Sequence, residues 1–247
     1  MGTAVVRAAR VLSLLANAEE PVALAGITAA LGAPKSSVHG ILRDLTAEGF
    51  VEMAAPGTYR IGVKALEVGL APLRQANPVS EVAPELRALT ARRNVTSHFA
   101  VLDGTDVVYV WKEDPPRVGV QLATAVGTRL PAQWTSVGKA CLAWLDPGDV
   151  GAHLDADRAS SGGRRRTSDD VAADLATTRA RGYAVDDGDT VAGIRCVAAP
   201  VFDLRGCCGA IGVSYLKDAG TPVADVAPDV VAAAARATAR LGGRAST

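Results

Sequence analysis

The chain is short of several things, and each shortage removes an explanation. It has no excess of charge: 26 Lys and Arg stand against 26 Asp and Glu, a formal net charge of zero. Overall basicity therefore does not argue for nucleic acid. Residues 1–61 are balanced as well, with five cations and five acids. Tight DNA binding by a single copy of that segment is disfavoured, and a dimer would double the phosphate contacts. There are only three His and four Cys. Cys141, Cys196, Cys207 and Cys208 show no paired spacing and no Cys-x-x-Cys, so neither a metal site nor a disulfide framework is expected. Free thiols in a reducing compartment are the expectation. No run approaches the ~18 apolar residues of a membrane span. The N-terminus places Arg7 and Arg10 in an amphipathic pattern and lacks the apolar core of a secretion signal. A cytoplasmic chain with no membrane partner is expected. There is no Gly-rich phosphate loop of the P-loop or Rossmann kind, and no cofactor is expected.

What is present begins with Lys35-Ser36-Ser37-Val38-His39-Gly40-Ile41-Leu42-Arg43-Asp44-Leu45. Val38, Ile41, Leu42 and Leu45 fall at i, i+3, i+4 and i+7, one apolar stripe of a short helix running to Glu48. Ser36, His39, Gly40 and Arg43 lie opposite. Gly49 suits a left-handed cap. A strand from Phe50 to Met53 follows, with a partner at Tyr59-Arg60-Ile61 beyond a turn at Ala55-Pro56-Gly57. Helices over Val5–Ala16 and Leu24–Leu31 precede it, with Pro21-Val22-Ala23 as the linker between them. Three helices and a two-stranded wing make a winged helix-turn-helix, whose third helix is shaped to enter a major groove.

Val63 to Leu70 reads as a linker helix, broken by Asn77-Pro78, where the domain boundary is expected. Beyond it, nearly half the chain being apolar, a second core is affordable. An amphipathic helix over Val79–Arg93 leads to period-2 runs at Ser97–Leu102 and Val107–Trp111. The Asp103-Gly104-Thr105 between them is a hairpin signal. Val118–Leu122 reads as a third strand and Val137–Leu145 as a helix. Residues 156–168 read as a surface loop, with Arg164-Arg165-Arg166 solvated. Asp169–Arg181 is helical and closes with Gly182. Strands at Cys196–Phe202 and Gly209–Tyr215 flank a turn, and Pro222–Leu241 is an Ala-rich helix. Hairpins with helices between them favour an antiparallel α+β domain.

With these elements in place the chain resembles the IclR family of bacterial transcription regulators, nearly end to end. In the first half the resemblance rests on Ala33-Pro34-Lys35-Ser36-Ser37-Val38-His39 and Gly49-Phe50-Val51-Glu52. In the second it rests on Leu130-Pro131, Thr135-Ser136-Val137-Gly138-Lys139-Ala140, Arg181 to Asp187, and Gly193 to Val201. It implies an α+β chain, a winged helix-turn-helix over residues 1–61 and a linker helix over 62–77. Residues 78–247 would form a GAF-like effector and oligomerisation domain, an antiparallel sheet flanked by helices. It further implies a double-stranded operator, a small organic-acid effector, and homodimers or homotetramers. Two departures stand out. Gly40 replaces a large basic residue frequent in the family, and Trp134 replaces an alanine common in the pocket loop.

The candidate DNA-contacting residues are Lys35, Ser36, Ser37, His39 and Arg43, with Arg60 on the wing reaching phosphate. The loop from Gln133 to Lys139 runs into a helix that Ser136 can cap, leaving backbone N–H groups at its start for a carboxylate. Ser136, Val137 and Gly138 are the candidates there. Trp134 reads either as a stacking wall, favouring an aromatic acid, or as core filling. The resemblance assigns Asp186, Cys196 and Ser214 to the pocket lining, while Gly212 falls where some members carry a serine. Asp186-Asp187-Gly188 also reads as a turn. The alternative is a DNA-independent sensor or an enzyme, with the winged domain as a protein-interaction module. In the enzyme version Cys196 is the nucleophile and His98 or His153 its base.

Overall fold

The computed structural model describes residues 3–69, 78–116, 125–155 and 159–244. The chain divides into two compact units, residues 1–75 and 76–247. In the first, α1 (Ala4–Ala16), α2 (Leu24–Leu31) and α3 (Lys35–Ala47) precede β2 (Val51–Ala55) and β3 (Thr58–Ile61). Helix α4 (Val63–Gly69) follows. Val11, Leu15, Ile27, Val38, Leu42, Val51 and Tyr59 form the core. The stripe read on α3 is the buried one. Gly49 takes the expected positive φ of 76°, turning the chain from α3 into the wing. Pro21-Val22-Ala23 is more than a linker. Val22–Ala23 is a short strand, β1, paired with Tyr59 and Thr58, so the wing is three-stranded in the order β1-β3-β2. The free edge of β3 explains it, because unpaired ladder groups invite a third strand.

The second unit contains α5 (Pro78–Arg93), β4 (Thr96–Asp103), β5 (Asp106–Glu113), β6 (Arg129–Pro131) and α6 (Ser136–Leu142). It continues through α7 (Ser168–Arg181), β7 (Ala184–Asp187), β8 (Ile194–Asp203), β9 (Gly206–Leu216) and α8 (Val223–Arg240). The six strands form one antiparallel sheet in the order β6-β5-β4-β9-β8-β7. The expected strand at Val118–Leu122 lies outside the described residues. Strand β6, not anticipated, pairs with β5 instead. Helix α6 ends at Leu142, not Leu145. The Arg179 guanidinium donates to the Ala143 carbonyl at 2.6 Å and the Leu145 carbonyl at 3.2 Å. A side-chain donor thus takes carbonyls that further helix would have used.

The two faces of the sheet differ. Ser97 donates to the Leu86 carbonyl of α5, so odd-numbered β4 residues face that helix. Ala100, Tyr109, Ala198 and Ala210 pack with Val137, Ala140 and Cys141 of α6 on the other face. Glu85 of α5 ties to Arg236 and Arg240 of α8 at 2.6 and 2.8 Å. Those arginines hold its carboxylate below the usual range against the opposing effect of burial.

Candidate functional site

On α3, Lys35, Ser36, His39 and Arg43 are exposed, opposite buried Val38 and Leu42. Ser37 is less available than expected, because its hydroxyl accepts from the Arg7 guanidinium of α1 at 2.9 Å. Arg43 pairs with Asp44 at 2.9 Å, and Arg60 on the wing pairs with Glu52 at 2.6 Å. Both pairs are largely exposed, so each is worth about 0–1 kcal/mol and opposes little a move to phosphate. Gly40 has no neighbour within 4 Å of where a Cβ would lie. The helix face is open at that point, as an interface with another molecule requires.

The other candidate site is built by strand register. Asp186 pairs with Cys196, Cys196 with Ser214, and Ser214 with Thr96, one row across four strands on the α6 face. The next row is Ala184, Ala198, Gly212, His98 and Lys112. Cys196 Sγ and Ser214 Oγ are 3.0 Å apart. Helix α6 packs on this face through Val137 and Ala140, and Gly138 lets its first turn close against the loop before it. A Cβ there would run into the backbone of Ala132. The cap is Thr135, not Ser136: the Thr135 hydroxyl accepts from the Gly138 N–H at 3.0 Å. Ser136 is one residue inside the helix, and its buried hydroxyl has no partner among the described residues.

Asp186 is buried, and its Oδ1 accepts from the N–H groups of Gly188, Asp189 and Thr190 at 3.1, 2.7 and 3.3 Å. The turn reading is therefore realised at a position that also borders Cys196. Burial pushes its carboxyl above the usual range, partly offset by those hydrogen bonds. Lys139, unremarked in the sequence, is 3% exposed. Its ammonium pairs with Asp174 at 3.2 Å and donates to the Val185 carbonyl. Its spacing from Ser136, one helical turn, gave no sign of a buried cation.

Trp134 is 1% exposed. The guanidiniums of Arg164 and Arg166 lie 5.1 and 5.4 Å from its ring centre. Arg166 is also not solvated as expected. It donates to the Gln133 carbonyl at 3.0 Å and pairs with Asp174 at 2.8 Å. A cation inside that loop is stabilised by a carboxylate and an aromatic face, partners the sequence order does not reveal.

No described residue group of three or more His, Cys, Asp or Glu could hold a metal ion. Among the described residues no helix is long and apolar enough to cross a membrane. The four cysteines are free. Burial, with the Asp186 charge beside it, pushes the Cys196 thiol up to about 12. His98 makes no hydrogen bond to it, and His153 is engaged with the Gly104 carbonyl at 2.6 Å. A protonated thiol without a base is no nucleophile.

Residues 4–54 match the IclR helix-turn-helix domain, and residues 71–240 match the C-terminal domain of the bacterial transcriptional regulator IclR. The chain belongs to the IclR family. It is 33% identical over 243 residues to the glycerol operon regulatory protein of Streptomyces coelicolor, covering 95% of this chain and 94% of that one. A solved IclR regulator from Silicibacter superposes with a TM-score of 0.83 at 25% identity, over 99% of this chain and 98% of the other. An IclR homologue from Microbacterium hydrocarbonoxydans, solved with 4-hydroxybenzoate, gives a TM-score of 0.83 at 19% identity over 97% and 99%. This IclR-family chain is accordingly a DNA-binding transcription regulator with a helix-turn-helix and an effector domain, not an enzyme.

Proposed function

We propose that this regulator senses a small organic acid held between the start of α6 and the row Asp186, Cys196, Ser214. Residues 1–61 bind operator DNA through Lys35, Ser36, His39 and Arg43, with Arg60 on phosphate and Ser37 oriented by Arg7. Residues 62–77 connect, and 78–247 bind the effector and pair the chains into homodimers or homotetramers in the cytoplasm. The observation that carries the reading is the row Asp186, Cys196 and Ser214 on the sheet face covered by α6, whose first residue, Ser136, keeps a buried hydroxyl with no partner among the described residues. A carboxylate there accepts from Ser136, Ser214 and the first N–H groups of α6. Hydrogen bonds to an ionised acceptor are stronger than neutral ones. Val137 and Gly138 form the apolar roof. Trp134, packed with the guanidiniums of Arg164 and Arg166, shapes the loop side of the site. The 4-hydroxybenzoate of the Microbacterium homologue makes aromatic acids reasonable members of a test panel.

The response is a population shift: a ligand that binds one arrangement of the chains better changes operator affinity by that difference. Calorimetry of the full chain with aliphatic and aromatic acids tests the sensing half. A panel member should bind, and Ser214→Ala should weaken it by about 1 kcal/mol, the worth of one hydrogen bond. No binding by any acid would remove the reading. A salt-dependent gel shift of the chain's own promoter fragment tests the DNA half.

A further inference from the structure

His98 stands beside a run of small residues on the α6 face of the sheet. Its neighbours in register are Ala184, Ala198 and Gly212 on one side and Lys112 on the other. The ring is 2% exposed, yet neither nitrogen has a hydrogen-bond partner among the described residues. A buried donor or acceptor left unmade is costly, and such groups ordinarily find partners. The ring is held in place by packing: its centre lies 5.0 Å from that of Tyr109, tilted at 56°. Nε2 lies over Gly212, where a Cβ would come within 2.5 Å of it and within 3.0 Å of Val137 Cγ1. The space a side chain at 212 would fill is therefore occupied by imidazole. That space borders Ser214, two residues along β9 on the same face, and the first turn of α6 with its unpartnered Ser136 hydroxyl.

We infer that His98 is a specificity-determining residue of the effector site, and that its Nε2 recognises a hydroxyl group on the ligand, selecting hydroxy acids over plain acids. The inference rests on the effector site proposed above. A carboxylate only accepts, and the N–H groups and hydroxyls around α6 suit it. A ligand hydroxyl both donates and accepts, so it satisfies Nε2 in either tautomer. Burial, with the Lys112 charge near by, lowers the ring's basicity, so the imidazole is neutral at pH 7 and keeps a lone pair to offer. A neutral site that hydrogen-bonds a ligand hydroxyl rejects the analogue lacking it, since the buried nitrogen is then left unpaired.

The test uses the full chain and two matched pairs of probes, lactate with propionate and 4-hydroxybenzoate with benzoate, measured by calorimetry. The hydroxy member of at least one pair should bind about tenfold or more tighter, the scale of one buried hydrogen bond. In His98→Ala that preference should fall below about twofold, the loss of the same bond. In His98→Asn, which keeps a donor and an acceptor, most of it should persist. Imidazole nitrogen resonances give a readout that packing alone does not move. With three histidines in the chain, only those of His98 should shift when the hydroxy acid is added. Equal binding within both pairs, or a preference that survives His98→Ala, overturns the inference while leaving the acid site standing. If no acid binds at all, the proposed function fails and this inference with it.

Discussion

The two recognition regions of this chain are built on opposite terms. On α3 the functional groups are exposed, charged and weakly committed: Lys35 and His39 face outward, and Arg43 and Arg60 rest on exposed carboxylates. Under α6 the polar groups are mostly buried and short of partners: among the described residues the Ser136 hydroxyl and both His98 nitrogens have no hydrogen bond, and Cys196 Sγ lies 3.0 Å from Ser214 Oγ. An exposed charge costs little to keep and little to redirect, and it suits a polyanion met at the surface. A buried orphan is expensive, and it suits a small ligand that is itself taken out of water.

Glycine breaks the comparison most sharply. Gly138→Ala pushes a Cβ into the Ala132 backbone, which cannot rotate away. It should cost about 3 kcal/mol or more, because overpacking is met here by main chain. Urea unfolding of the second unit would show it, and acid binding should vanish with it. Gly40→Ala adds a Cβ in open space and belongs at the other end of the scale.

Next in size is a pH effect confined to the buried region. His98 titrates near 6.5 in the unfolded chain and at about 4 when folded, because burial and the Lys112 charge disfavour its cation. Between those values the unfolded state binds a proton that the folded state does not. Stability is therefore complete above about pH 6.5 and falls as the pH drops towards 4, by up to about 3 kcal/mol. Unfolding curves from pH 7 to 4 should steepen this loss in the wild type relative to His98→Asn. Identical profiles would mean that the ring is not held neutral.

The exposed region was the legible one. The stripe Val38, Ile41, Leu42, Leu45 and the glycine at 49 specify α3 and the turn after it, and exposure needs no partner to be predicted. The buried region was legible only where a motif carried it, as at Ser136, Gly138 and Cys196. His98 was seen as a stray base because its meaning depends on register: β4 against β9 sets it over Gly212. The period-2 run Ser97–Leu102 places His98 on the face of Ala100, but only the sheet order shows what else shares that face. Lys139 was missed for the same reason, its partner Asp174 lying on another helix, and so was Arg166, whose carboxylate is only eight residues away but whose other partners, the Gln133 carbonyl and the Trp134 ring, come from a distant loop. Ser136 was misread as the cap because Thr135 offers the same chemistry one residue earlier.

Smaller effects sharpen the outer region. Arg43→Ala should weaken operator binding by ~1–3 kcal/mol if the guanidinium reads a base. If it touches phosphate alone, affinity should fall alike on all sequences and the salt slope should drop by about one. Fluorescence anisotropy against salt separates these, and an unchanged protein would remove α3 from the interface. Gly40→Ala should stabilise the first unit by up to about 1 kcal/mol through helix propensity, with little effect on acid binding.

The most direct test of the whole account is the linkage between the two regions. Anisotropy of a labelled promoter duplex, with and without a saturating acid chosen by calorimetry, measures it. The account predicts that the acid changes operator affinity about fivefold or more, and that Ser214→Ala reduces the change at a fixed subsaturating acid concentration. An acid that binds the wild-type protein while leaving operator affinity unchanged would contradict it.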